Sequence, residues 1–270
     1  MNELRNWLIL AAFVISAQCL AQNPSAQIIA VEGEVTIDGR AVTCGQKING
    51  NEEILSVDKT GYVCLLTDNG YAFKLKKGRY KVKKVLDKKT PGFTPLGFVT
   101  FEDPLRAIEV LAPLEPAPVA SDTLTLIWKR IKSIDRHTIT LRNFRDSVVM
   151  DTATTENVIH IPFRKKYEEP GLIVQIKSDR YRSKDFLVRK LTMDSDVFQA
   201  DVLCNKALSF VEREVALLAL CEIHGLYLDH IHHLYRLYTF SRATQTPVTH
   251  PYYLRMLREH NFERFMVSPQ

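Results

Sequence analysis

The densest group of chemically competent side chains in this sequence is His224, His230, His232 and His233, with Glu222 and Asp229 beside them. Imidazole nitrogens and carboxylate oxygens are the donor set of zinc and related transition metals. On a helix His230 and His233 share a face, and His224 lies across the Gly225 turn, so two or three imidazoles have the spacing to meet on one ion. His224, His230 and His233 are the candidate metal ligands, with Asp229 or Glu222 completing the set. The competing reading is that helical histidines beside tyrosines pack, because HExxH does not occur. Covalent and phosphate chemistry find no frame either: GxSxG, a Walker loop and GxGxxG are all missing. The chain therefore reads as non-enzymatic, with no catalytic residues and no cofactor.

Three further sets of side chains carry chemistry of a different kind. Cys44 and Cys64 have the placement for a strand-to-strand disulfide, Cys204 and Cys221 for a link between helices, and each is equally well read as a buried thiol. Tyr227, Tyr235, Tyr238 and Tyr252 exceed what a small helical bundle needs to bury, which makes them candidate partner contacts; the alternative is packing within the same chain. Between Lys74 and Lys89 nine Lys/Arg face only Asp87, although the whole chain carries a net charge of just +5. Alternation with Leu75, Tyr80 and Val82 predicts a strand with a cationic outer face, suited to an anionic polymer or lipid headgroups, or serving only to keep a sheet edge from aggregating. Because the basic character is local, nucleic-acid binding is not expected.

These residues must be positioned by at least two kinds of element. Residues 27–85 read as short strands split by the Asp38-Gly39 and Asp68-Asn69-Gly70 turns, with a further turn at Gly78 leading into a strand over 80–86. Prolines recur from Pro91 to Pro118 and predict a stiff, partly docked connector over 91–121, open to proteolysis near 113–122. Strands follow near 124–128, 137–142, 158–161, 172–178 and 185–189. From Ser195 onward the apolar period becomes helical, with Gly225 dividing two helices and a third over 252–262. The expected fold is multi-domain α+β, with units over 22–90, 122–192 and 193–270 and separable β and helical halves.

The run Val31-Glu32-Gly33-Glu34-Val35-Thr36-Ile37-Asp38-Gly39, then Val42-Thr43-Cys44-Gly45-Gln46-Lys47-Ile48, Glu53-Ile54-Leu55 and Val63-Cys64-Leu65 through Gly70, resembles the β-domain of the FecR family. The resemblance implies a small β module; FecR regulators carry a cytoplasmic anti-sigma segment and a transmembrane helix upstream, where this sequence has only a leader pattern, so a sensor-type regulator is an alternative role, as is a metal-binding or enzymatic envelope factor built on the histidines. Leu124 to Lys129 with Trp128, Ile139-Thr140-Leu141 and 171–176 resemble fibronectin type III or immunoglobulin-like sandwiches, which implies a tryptophan packed between two sheets. Leu217, Gly225, Tyr227, Ile231 and Leu234 resemble one degenerate tetratricopeptide repeat, with Leu218 and His230 where small residues are usual. At the start of the chain, a charged residue pair precedes the apolar run from Trp7 to Ile15 and the small residue Ala21. That is the pattern of a secretory signal peptide over 1–21, with lipidation at Cys19 and an uncleaved anchor as alternatives. Export to the periplasm or cell envelope, and a protein partner there, are the expectations. The order of modules resembles exported proteins of the Bacteroidetes type.

Overall fold

A computed structural model describes residues 24–50, 53–88, 98–99, 107–112, 117–131, 136–163, 171–179, 181–191 and 208–266. The leader over 1–21 with Cys19, the residues from Pro113 to Pro116, and Cys204 lie outside the described residues. The fold is mixed α+β, with several sheets and a C-terminal helical region.

The first unit is an antiparallel sheet of β1 (Ser25–Glu32), β2 (Val35–Ile37), β3 (Arg40–Ala41), β4 (Lys47–Asn49), β5 (Ile54–Thr67) and β6 (Ala72–Lys81). Its order is β3-β2-β5-β1-β4, with β6 paired to β5. The long β5 organises the unit. Its first half pairs with β2 and the end of β6; its second half pairs with β1 and the start of β6. Asp38 and Gly39 turn the chain with φ of 48° and 79°, as an Asp-Gly hairpin turn requires. The β1–β2 connection crosses β5 at two glycines: a Cβ on Gly61 would lie 2.6 Å from the Glu32 carbonyl oxygen, and one on Gly33 2.8 Å from the Gly61 Cα. Gly61→Ala should therefore cost about 1–3 kcal/mol, the range for forced overpacking. Urea unfolding measures it, and a loss below about 0.5 kcal/mol would mean that the crossing relaxes at no cost.

Two expectations are corrected in this unit. Gly78 does not turn the chain, since β6 runs through it in register with Val57. Residues beyond Lys81 form helix α1 (Val82–Leu86), not a strand. The physical reason is spacing: Val82, Val85 and Leu86 are the buried positions, at i, i+3 and i+4, and they close a core made with Ile28, Leu55, Val63 and Leu65.

The second unit contains β9 (Ala117–Val119), β10 (Thr123–Ile127), β11 (His137–Arg142), β12 (Val148–Thr154), β13 (Val158–Pro162), β14 (Leu172–Ser178), β15 (Tyr181–Arg182) and β16 (Phe186–Lys190). One sheet has the order β12-β11-β14-β16-β9 with β15 on β14; the other is the pair β10-β13. Trp128 is fully buried, its ring 5.2 Å from that of His137. A short pair, β7 (Phe98–Val99) and β8 (Val110–Leu111), lies ahead of these strands, and Val110 bridges to Trp128.

The connector expectation is corrected here as well. Ile108, Val110, Leu111, Ala112, Ala117 and Val119 are completely buried, and β9 pairs in parallel with β16. Proline forbids helix but is tolerated on an edge strand, and Pro118 sits on one. Residues 117–120 are thus part of a core and not an undocked linker.

The helices are α2 (Phe210–His224), α3 (Tyr227–Thr244), α4 (Pro251–Glu259) and α5 (Glu263–Met266). Ser209 and Glu212 form a capping box at the start of α2, and Gly225 ends it in the left-handed conformation, with φ of 68°. Every residue from Glu214 to Cys221 is buried, as befits a helix apolar on all sides and enclosed by neighbours. One continuous core joins Ile29, Ala30, Cys64 and Leu66 of the first unit, both sheets of the second, and the helices. The helical region is a central layer between two β units, so the expected separation of β and helical halves does not hold.

Candidate functional site

Helix α3 presents its histidines on different sides, and the structure sends each to a different neighbour. His230 donates from Nδ1 to the Leu218 carbonyl at 3.1 Å, so the two positions that depart from the tetratricopeptide pattern meet each other. Its Nε2 accepts from His260 Nε2 at 3.2 Å, with both rings buried. Burial first, and then the neighbouring His260 charge, hold His230 well below the usual imidazole range; burial pushes His260 down to about 4. His233 donates from Nδ1 to Glu214 at 2.9 Å, and Arg236 reaches the other oxygen of that buried carboxylate at 3.1 Å. Burial alone would raise the Glu214 carboxyl, but the His233 hydrogen bond and the His233 and Arg236 charges hold it below the ordinary value. His224 stands edge-on to Tyr62 of β5, with ring centroids 6.3 Å apart.

The expected metal ligands are therefore not brought together. His224, His230 and His233 have separate partners, and among the described residues no group of three His, Cys, Asp or Glu side chains is arranged to hold an ion. The reason is geometric: α3 packs on α2, on α4 and on β10 at once, so neighbouring positions of the helix look into different contacts. Asp229, the proposed extra ligand, accepts instead from the backbone N–H groups of Ala120 and Ser121 at 2.8 and 3.0 Å. Lys190 clasps the same residues from the other side through the Ala120 and Ser121 carbonyls.

A polar cluster that reaches the surface joins β10, β13 and α3. The Thr125 hydroxyl of β10 lies 2.7 Å from His232 Nδ1 and 2.9 Å from His160 Nδ1, so it donates to one ring and accepts from the other. His160, on β13, is exposed, its ring 5.2 Å from that of Tyr235 and tilted 56° to it. Burial pushes His232 down to about 4 and also lowers His160. Chemically this is a relay of neutral hydrogen bonds with its His160 end in water and the Thr125 hydroxyl fully buried, able to take up a proton. Nothing local in the sequence marks it, since its members are 35 and 107 residues apart.

The tyrosines and cysteines make their contacts within the chain. Tyr252 is completely buried and donates to Glu222, while Tyr227, Tyr235 and Tyr238 are half-buried against the main core, Tyr238 beside Phe262. These three pack one side on the core and keep the rest at the surface, whereas Tyr252 has no surface to offer. No bridge joins Cys44 to Cys64: Cys64 is a buried thiol pushed up to about 12 by burial, and Cys44 Sγ donates to the Ile29 carbonyl at 3.2 Å. Cys221 is also a buried thiol.

The exposed large apolar side chains of the described residues are Phe144, Val148, Val149 and Leu254. Three of these four sit on the β11–β12 hairpin, on or beside an edge strand, with Phe144 52% and Val148 59% exposed. None of the described helices is long and apolar enough to cross a membrane. The chain matches no protein-family model and no curated protein.

Proposed function

We propose that this chain is an exported, non-enzymatic binding or assembly module of the periplasm or cell envelope, working through protein contacts. A FecR-like β module, a fibronectin- or immunoglobulin-like sandwich and a tetratricopeptide-like helical pair are the units of that reading. The sandwich assignment is supported by the strand order, with β10-β13 as one sheet and β12-β11-β14-β16-β9 as the other, and by the buried Trp128. The contacting surface is the β11–β12 hairpin and not the helical groove, because the helices are spent on the two β units.

The observation that carries this reading is the concentration of exposed apolar side chains at Phe144, Val148 and Val149 beside an unpaired strand edge. Such an edge adds a partner strand readily, and apolar side chains next to it supply the contact area. Phe144→Ser with Val148→Thr should abolish capture of the partner by the immobilised protein from native envelopes. The thermal transition should stay nearly unchanged, as for surface substitutions generally. Capture at wild-type level by the double variant would remove the hairpin from the interface.

A further inference from the structure

The face formed by β2, β5 and β6 brings together two kinds of group that the function above does not use. Register places Thr36, Ser56 and Arg79 side by side across the three strands. Glu34, just before β2, and Asp58 and Lys77, where the β5–β6 register shifts after Val57, lie beside them. These six line a cleft of about 410 Å³. The Asp58 amide donates to the Glu34 carbonyl at 3.0 Å, which fixes the two carboxylate-bearing strands together. Lys59, beside Asp58, also lines the cleft, which thus joins two carboxylates and two hydroxyls from β5 and the β2 side to Lys59, Lys77 and Arg79.

The cationic surface continues beyond the cleft. Residues 74–88 carry eight Lys/Arg and one Asp, whereas 24–73 carry seven carboxylates and three Lys/Arg, so charge is segregated within this unit. From Lys76 to Lys88 seven cations are exposed, and among the described residues none of the seven takes part in an ion pair. Protection of a sheet edge explains lysines on β6, but not Lys83, Lys84 and Lys88 on and after α1, which has no strand edge to protect. Lys77, Arg79 and Lys81 alternate along β6 and are spaced by roughly 7 Å, a line about 14 Å long. None of the exposed large apolar side chains lies in residues 24–88, so the face offers nothing to insert into a bilayer.

We infer that this face binds an acidic polysaccharide. The anionic substituents of the polymer pair with Lys77, Arg79 and Lys81, while Glu34 and Asp58 accept hydrogen bonds from its sugar hydroxyls and Thr36 and Ser56 complete the polar floor. A polymer with charge but no hydroxyls would leave the two carboxylates facing it with like charge. An acidic polysaccharide satisfies both kinds of group.

The test measures binding of an eight-residue oligogalacturonate to the purified protein across a salt series, beside inorganic polyphosphate and phosphatidylglycerol vesicles. Oligogalacturonate should bind most tightly, with affinity falling linearly on a log–log plot against salt. The triple variant Lys77→Gln, Arg79→Gln, Lys81→Gln should reduce that slope by about 2, at roughly 0.7 per cation for a linear chain. Asp58→Asn should weaken oligogalacturonate about tenfold and leave polyphosphate unchanged or tighter. An unchanged slope in the triple variant overturns the site. Equal or tighter binding of polyphosphate or vesicles, or an Asp58→Asn variant without effect, overturns the polysaccharide.

Discussion

Replacing Arg255 by leucine lowers the stability of the protein by about 3–5 kcal/mol, the cost of removing one partner from a buried ion pair. Arg255 is 8% exposed and is the point where three elements meet. Its Nε donates to the Gly70 carbonyl at 2.7 Å, in the β5–β6 turn of the first unit. Its two Nη atoms reach Glu222 of α2 and Glu259 of α4, each at 3.3 Å, and the guanidinium lies 4.9 Å from the Tyr71 ring and 5.1 Å from that of Tyr252. Space at the turn is tight, because a Cβ on Gly70 would fall 2.8 Å from the Pro251 backbone. Lysine should recover only a small part of the loss, having a compact ammonium where a planar fork is required. Chemical denaturation gives the number. A loss under about 1 kcal/mol in Arg255→Leu would show that the first unit docks through apolar contacts alone.

Acid should unfold this protein well above the range in which carboxylates titrate. His137, His160, His224, His230, His232, His250 and His260 hold their protons less tightly when folded than in the free side chain, with burial as the first cause in every case. Between pH 6.5 and about 4 the unfolded chain therefore binds more protons than the folded one. Stability that is complete above pH 6.5 is lost as the pH falls through that window. For His260 alone, a drop from 6.5 to about 4 corresponds to about 3 kcal/mol. His230, His232 and His224 add to it at the contacts of the helical layer with α4, β10 and β5. Unfolding free energies at pH 7, 5.5 and 4.5 should fall steeply, and the double variant His260→Gln, His232→Gln should flatten the slope. A flat profile down to pH 4.5 in the native chain would refute the assignment of these rings as neutral joints.

Much of the local structure was legible because its causes are local. Asp38-Gly39 fixes a hairpin turn by its own conformational preferences, and Gly225 stops α2 in the same way. Five strands of the second unit were visible from their alternation, but β12 was not, because Val148 to Thr154 lies on a sheet edge and buries neither face. What could not be read was the role of the helices. The run Val215 to Cys221 is apolar at every position, a sign of enclosure on all sides, yet nothing nearby says which neighbours enclose it. The histidines were misassigned for the same reason. Their spacing at the end of α2 and along α3 is compatible with one ion, and only the positions of β5, α2 and α4 divide His224, His233 and His230 among Tyr62, Glu214 and His260.

The central place of the helices bears on the order in which the molecule can be completed. The chain supplies both β units first and the layer between them last, since α2 begins only at Phe210. Until then Ile29, Cys64 and Leu66 on one side, and Ala117, Val119 and Leu124 on the other, lack the α2 and α3 residues that share their core. A nascent or truncated chain that stops before residue 208 would carry two bare apolar faces, and its first recourse would be another copy of itself. Synthesis of the final described segment is thus the step that converts a sticky intermediate into a closed particle, and loss of that segment would be read out as aggregation and not as a shorter folded protein.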